Sequence, residues 1–136
     1  MINIKIINEL IKLSHEAAKN NEVPVACVIV KNNKIVSKAY NMREKYNNPL
    51  CHAEIICINK LCKKNKSWRL DEYEMYVTLK PCNMCLEVIK ASRLKKVYYI
   101  LDSFNEKVIT KTKLEKLEEY NDNFKEILTS FFKSKR

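Results

Sequence analysis

The sequence predicts an α/β protein, a three-layer α/β/α sandwich on a mixed central sheet. Three observations carry the prediction. Helical periodicity opens the chain and returns near its end. Between those ends, β-prone apolar runs alternate with helical ones, in the order helix, two strands, helix, strand, helix, strand, helix. The chain has 136 residues, 46% of them hydrophobic, which fits a single domain over residues 1–136 with a real core.

Taken in order, Ile4, Ile7, Leu10, Ile11, Ser14, Ala17 and Ala18 recur at helical spacing, so a helix is expected over about residues 2–20. Asn20-Asn21 ends it. "VPVACVIV", residues 23–30, is a continuous apolar run of the kind found in a buried strand. Asn32-Asn33 supplies a hairpin turn, and residues 34–40 return as a second strand. Residues 41–50 read as a polar loop. A helix follows over 52–63, with Ile55, Ile56, Ile58 and Leu61 or Cys62 as its core positions. Strand three runs over 73–79, a short helix over 82–91 and strand four over 97–101. The tail carries a helical pattern around Leu114 and Leu117, then another through Phe124, Ile127, Leu128, Phe131 and Phe132. No fifth strand is recognisable between residues 102 and 123.

Composition narrows the function. The chain contains no glycine, which excludes a glycine-rich phosphate loop or a dinucleotide fingerprint. Turns must lean on asparagine to reach positive φ, and Asn20-Asn21, Asn32-Asn33 and Asn47-Asn48 stand where turns are needed. The formal net charge of +10 favours a polyanionic partner such as nucleic acid. An AT-rich coding sequence, rich in Lys, Asn and Ile codons, gives the same bias. No apolar run is long enough to span a membrane. The amino-terminal stretch is broken by Lys5, Glu9 and Lys12, so it reads as neither a signal peptide nor an anchor. The expected location is the cytoplasm, where thiols stay reduced.

Chemistry concentrates in two short stretches. "PCNMC", residues 81–85, puts Cys82 and Cys85 three apart at a helix start, where they share one face and the helix dipole favours thiolate. In a reducing compartment such a pair is a redox couple or half of a zinc site, or else two small buried apolar residues. "HAE", residues 52–54, also opens a helix. Side chains two apart do not share a helix face, so His52 and Glu54 can converge only beyond the helix end. Together the stretches offer His52, Cys82 and Cys85 as three zinc ligands. Three ligands leave a fourth position for water, as catalytic zinc sites do, with Glu54 free as a general acid/base. Cys51 is the candidate for a closing fourth ligand, but its side chain should point away from that of His52. Cys27, Cys57 and Cys62 sit at core-like positions, and His15 reads as a surface residue.

His-x-Glu followed by Pro-Cys-x-x-Cys is the signature of the zinc nucleobase deaminases. Within that cytidine/deoxycytidylate deaminase superfamily the chain resembles the bacterial tRNA-specific adenosine deaminases. "NEVPVACVIV", "AYNMRE", "NPLCHAEIICI", "YVTLKPCNMC" with "SRLKKVYY", and the tail "LTSFFKSKR" carry the likeness. It spans most of residues 10–101 and again 124–136. The resemblance implies the cytidine deaminase-like fold, one zinc held by His52, Cys82 and Cys85, and hydrolytic conversion of the wobble adenosine of a tRNA anticodon to inosine. It implies that Glu54 passes a proton from water at the metal to purine N1 and later to the departing amine. Asn41 would contact the flipped base or its ribose, with Val25 and Ala53 lining the pocket. Ser92, Arg93, Phe131, Phe132, Lys133 and Arg136 would hold the anticodon stem-loop, and a homodimer is implied.

The chain departs from the family at four places. Lys80 stands where an acid is usual, and its ammonium is expected to snorkel outward to solvent. Ala26-Cys27 replaces a glycine-containing stretch, and Leu86-Glu87 replaces small residues. The span from Asp102 to Asn123 is short. These departures leave room for a deaminase of a free base or nucleoside (cytosine, cytidine or guanine). A non-catalytic zinc-stabilised RNA-binding subunit is a further alternative, although a structural zinc would not need Glu54.

Overall fold

A computed structural model describes residues 3–103 and 110–135. The sandwich is the predicted one. Its elements are α1 (Ile4–Lys19), β1 (Ala26–Lys31), β2 (Lys34–Tyr40), a short α2 (Arg43–Tyr46), α3 (Ala53–Asn65), β3 (Glu74–Leu79), α4 (Asn83–Ser92), β4 (Lys96–Leu101), β5 (Lys113–Lys116), a 3-10 turn over Glu118–Tyr120, and α5 (Asn121–Ser134). Strand order is β2-β1-β3-β4-β5. β1 runs antiparallel to both neighbours, whereas β3, β4 and β5 are parallel.

Alternation along the strands divides the core into two layers. Cys27, Ile29, Met75, Val77 and Val97 face α3 and α4, meeting Cys57, Leu61, Leu86 and Ile89. Ala26, Val28, Val30, Tyr76 and Ile100 face α1 and α5, meeting Ile6, Ile7, Leu10 and Phe124. With both faces covered, β1 is buried along nearly its whole length, which is why its sequence reads as an unbroken apolar run. Among the described residues no helix is long and apolar enough to cross a membrane.

Two expectations are corrected. The buried stripe of α1 is rotated from the predicted one: Ile6 and Leu13 are buried and Ile4 is 57% exposed. The helix lies on the sheet beside α5, so Ile11 and Ala18 turn toward α5 instead of the strands. The helical pattern around Leu114 and Leu117 is in fact strand β5, paired in parallel with β4 through Val97–Leu114 and Tyr99–Lys116. A four-residue edge strand shows too few apolar positions to declare its period. The open hydrogen-bonding edge of β4, not local propensity, makes it a strand. Leu114 packs into one layer of the core and Leu117, just past the strand, into the other.

Asparagine does supply the turns. Asn21, Asn32, Asn33 and Asn47 have φ of 61°, 52°, 63° and 48°. Where helices α3 and α4 end, the left-handed position falls to Lys66 (φ 53°) and Arg93 (φ 69°), each at a cost of about 1 kcal/mol relative to glycine.

Candidate active site

The topology gathers one end of the sheet into a site. β3 ends at Leu79 and passes through Lys80-Pro81 into α4. Because β1 is antiparallel to β3, its start lies at that same end. β2 is antiparallel to β1 and ends there too, with Tyr40 opposite Ala26. Asn41, the next residue, hydrogen-bonds through its backbone N–H to the Val25 carbonyl at 3.1 Å. Thus Val25 and Asn41 are brought together beside the first turn of α3.

His52 and Cys82 are the N-cap residues of α3 and α4, with extended backbone (ψ 149° and 170°) and no side-chain capping bond. Their side chains are therefore free to leave the helix ends. His52 Nδ1 lies 3.9 Å from Cys82 Sγ and 3.5 Å from Cys85 Sγ, and the three donor atoms all fall within 4.8 Å of one another. Tetrahedral zinc, with bonds of about 2.0 Å to nitrogen and 2.3 Å to sulfur, sets its donors roughly 3.5–3.8 Å apart. The spacing is close to what that ion needs, with Cys82 slightly far from His52. Cys51 does not join the group, and among the described residues no fourth protein ligand closes it.

Electrostatics ask for a cation at this point. The Cys85 thiol is pushed far above its ordinary range by burial, then by the neighbouring Glu54 carboxylate and by Cys82. Burial, with the Arg43 guanidinium, lowers His52 and so favours the neutral imidazole that a metal requires. Glu54 lies in the first turn of α3 and is 3% exposed. A helix N-terminus ordinarily holds a carboxylate low. Here burial outweighs the backbone N–H and the Cys85 thiol that favour the anion, and Glu54 rises to about 7. Its carboxyl is poised to exchange a proton near neutrality, in contact with the donor cluster.

Because His52 does not cap α3, the buried N–H of Ala53 needs an acceptor from elsewhere. Asn41 provides it, its Oδ1 accepting from Ala53 N at 2.9 Å. The three residues expected at the substrate pocket, Val25, Asn41 and Ala53, are thereby one connected group. Asn41→Ala is expected to remove about 1 kcal/mol of stability and lower Tm by about 3–5 °C. A thermal melt unchanged from wild type would mean that this tertiary cap contributes nothing.

Of the residues expected to hold RNA, Ser92 and Arg93 lie away from this end, whereas the last turn of α5 is tied by Lys135 Nζ to Asn21 Oδ1, beside the entry to β1. Ser92 is buried and its hydroxyl donates to the Ile89 carbonyl at 2.7 Å. Arg93 caps the far end of α4, a ten-residue helix and so about 15 Å from the cysteines. On α5, Phe131 is buried and Phe132 is 51% exposed, their rings edge to face at 5.4 Å. Lys133 is exposed, and Arg136 lies outside the described residues. Lys80 is half-buried, and its Nζ lies over the Tyr99 ring, 5.3 Å from the centroid, a cation–π contact. Two residues escaped the sequence reading: Arg43, which acts on His52, and Glu22, a buried carboxylate. Both lie inside stretches that carry the family likeness, Glu22 in "NEVPVACVIV" and Arg43 in "AYNMRE", but neither sits in the metal signature or on a periodic apolar stripe.

Residues 2–101 match the family model described as the cytidine and deoxycytidylate deaminase zinc-binding region. The chain belongs to this deaminase family. Zinc is the metal of the family, and the His52, Cys82 and Cys85 donors fit it. Among curated relatives, the tRNA-specific adenosine deaminase of Rickettsia bellii is 50% identical over 95 residues, which are 68% of this chain and 66% of that protein. The chain thus spans just under two thirds of that relative's length. A structure solved in work on A-to-I editing by tRNA deaminases at the wobble position superposes with a TM-score of 0.72 at 24% identity, covering 80% of this chain and 95% of the other. Guanine deaminase from Bacillus subtilis superposes with a TM-score of 0.69 at 26% identity over 93% of both chains. Both share the fold of this deaminase family chain.

Proposed function

We propose that this chain is a zinc-dependent hydrolytic deaminase that converts the wobble adenosine of a tRNA anticodon to inosine. The observation that carries the chemistry is Glu54: a buried carboxyl in contact with Cys85, beside a three-donor metal group with no fourth protein ligand among the described residues. The substrate is inferred from the tRNA-specific adenosine deaminase at 50% identity.

In this reading His52, Cys82 and Cys85 hold the zinc, which supplies Lewis-acid activation of water near pH 7. Glu54 carries the protons. It takes one from the attacking water and delivers it to purine N1, then takes the second from the new C6 hydroxyl and delivers it to the amine, which leaves as ammonia as the C6 carbonyl forms. Asn41, whose Oδ1 is committed to Ala53, offers its amide N–H groups to the base or ribose. Val25 and Ala53 form the apolar wall. The flipped nucleotide reaches the site by leaving its stack, which is cheapest in a single-stranded loop. The net charge of +10 suits a polyanion, with Ser92, Arg93, Phe131, Phe132, Lys133 and Arg136 proposed as contacts beyond the pocket. A homodimer and a cytoplasmic location belong to the same proposal.

A second reading, deamination of free guanine, draws on the Bacillus subtilis guanine deaminase, which matches over 93% of both chains. One assay separates the two. The zinc-loaded protein is incubated with an anticodon stem-loop bearing a wobble adenosine, and in parallel with guanine, cytosine and cytidine. Inosine in the stem-loop alone is the expected outcome. Turnover of a free base or nucleoside alone removes the tRNA assignment, and turnover of nothing removes both readings.

A further inference from the structure

We propose that Glu22 is a positioning residue for the reaction, acting through the 41–51 segment. The side chain is 2% exposed and lies on the link between α1 and β1, outside the metal group. Its position is set from behind. Asn21 adopts φ 61°, and the Glu22 N–H donates to the Ala17 carbonyl at 2.9 Å, tying the residue to the last turn of α1. Its carboxylate then reaches across to α2. Oε1 accepts from Glu44 N at 3.1 Å and Oε2 from Lys45 N at 2.9 Å. These are first-turn donors that the four-residue α2 cannot satisfy internally, and Met42, its N-cap, makes no side-chain capping bond. A buried carboxylate with both oxygens on consecutive backbone N–H groups makes two charge-assisted hydrogen bonds.

The segment so held begins and ends at the site. Asn41 precedes α2 and caps α3 through Ala53. Met42 N–H donates to the Cys51 carbonyl at 3.0 Å, closing the segment beside His52. The clamp therefore fixes a loop whose two ends carry Asn41 and His52, with no contact of its own to the metal donors. Displacement of a positioning group by about 1 Å can cost on the order of 100-fold in rate. Without the carboxylate, α2 loses its anchor to the end of α1, and Asn41 beside it is held only by its own bonds to Val25 and Ala53.

The inference rests on Asn41 meeting the substrate, as proposed above. Its test uses the full-length zinc-loaded chain with Glu22→Gln and Glu22→Ala. Gln has nearly the same shape and keeps one acceptor, so it remains informative should Ala fail to fold. For Glu22→Ala, kcat/KM on the anticodon stem-loop is expected to fall about 10- to 100-fold, with KM carrying the larger share. Zinc stays at one per chain, and hydrogen exchange at the Glu44 and Lys45 amides speeds up. Glu22→Gln falls between Ala and wild type. Wild-type exchange at those amides, or loss of active protein with KM unchanged, overturns the positioning role alone. An inactive wild-type chain overturns the functional reading and the positioning role with it.

Discussion

Glu54→Gln is expected to lower stem-loop deamination by about 10²- to 10⁴-fold while leaving one zinc per chain. The substitution keeps the volume of a side chain that is 3% exposed, so the core around the first turn of α3 is not opened. What it removes is proton transfer. A carboxyl near its midpoint at neutral pH can both accept a proton from water and return it, and Glu54 is pushed to about 7 by burial. An amide can do neither. The same change also removes a carboxylate whose charge raises Cys85, so metal affinity is expected to hold or fall slightly, never to vanish. Kinetics and metal content read together decide the role. Activity within about threefold of wild type would rule out Glu54 as the proton carrier, since general acid–base catalysis is worth far more than that. Loss of zinc alongside activity would recast it as a structural support of the cluster.

The second large effect concerns the metal. Cys85→Ala is expected to abolish stoichiometric zinc binding and with it all activity, and a chelator is expected to destabilise the wild-type chain. Cys85 is fully buried, 3.5 Å from His52 Nδ1, and in contact with Glu54. Without a cation this end of the sheet holds a buried thiol, Cys85, and a buried carboxyl, Glu54, that each resist ionisation. With zinc bound, the thiolate form is favoured and the ion's affinity becomes folding free energy. Free metal at about 1,000 times its Kd adds about 4 kcal/mol, so removal should lower Tm by more than about 10 °C. Cys51→Ser serves as the control. Cys51 is adjacent to His52 in sequence but outside the donor group, so this variant should bind one zinc and melt as wild type does. A Cys51→Ser chain that loses its metal would mean that the site is closed by a fourth protein ligand. An unchanged Tm under chelator would mean that the helix ends are held by packing alone.

Some of this protein is readable without coordinates because the relevant physics is short-range. A helix N-terminus exposes backbone N–H groups and points its cap residue away from the axis. "HAE" and "PCNMC" at two such starts therefore announce His52, Cys82 and Cys85 as convergent donors, with Glu54 set apart from them. The turns at Asn32-Asn33 and Asn47 follow from φ preferences in a chain without glycine. The two-sided burial of β1 is visible as an unbroken apolar run. Each of these depends on residues within one turn or one strand of each other.

Other features depend on partners far along the chain. Leu114 and Leu117 suit a helix as well as a strand until the free edge of β4 is placed beside them. Ile4 shares the apolar stripe of α1, yet the angle at which that helix meets the sheet and α5 leaves it in solvent. Lys80 finds the Tyr99 ring across the β3–β4 pair. Glu22 clamps amides 22 and 23 residues away, and Asn41 caps a helix that begins twelve residues later. Donor chemistry and helix ends are properties of neighbouring residues, so the ligand set was present in the linear chain. Which carboxylate is buried, which edge accepts a strand and which loop is pinned against the metal depend on segments meeting in space, where hydrogen-bond supply and burial, not local preference, set the outcome.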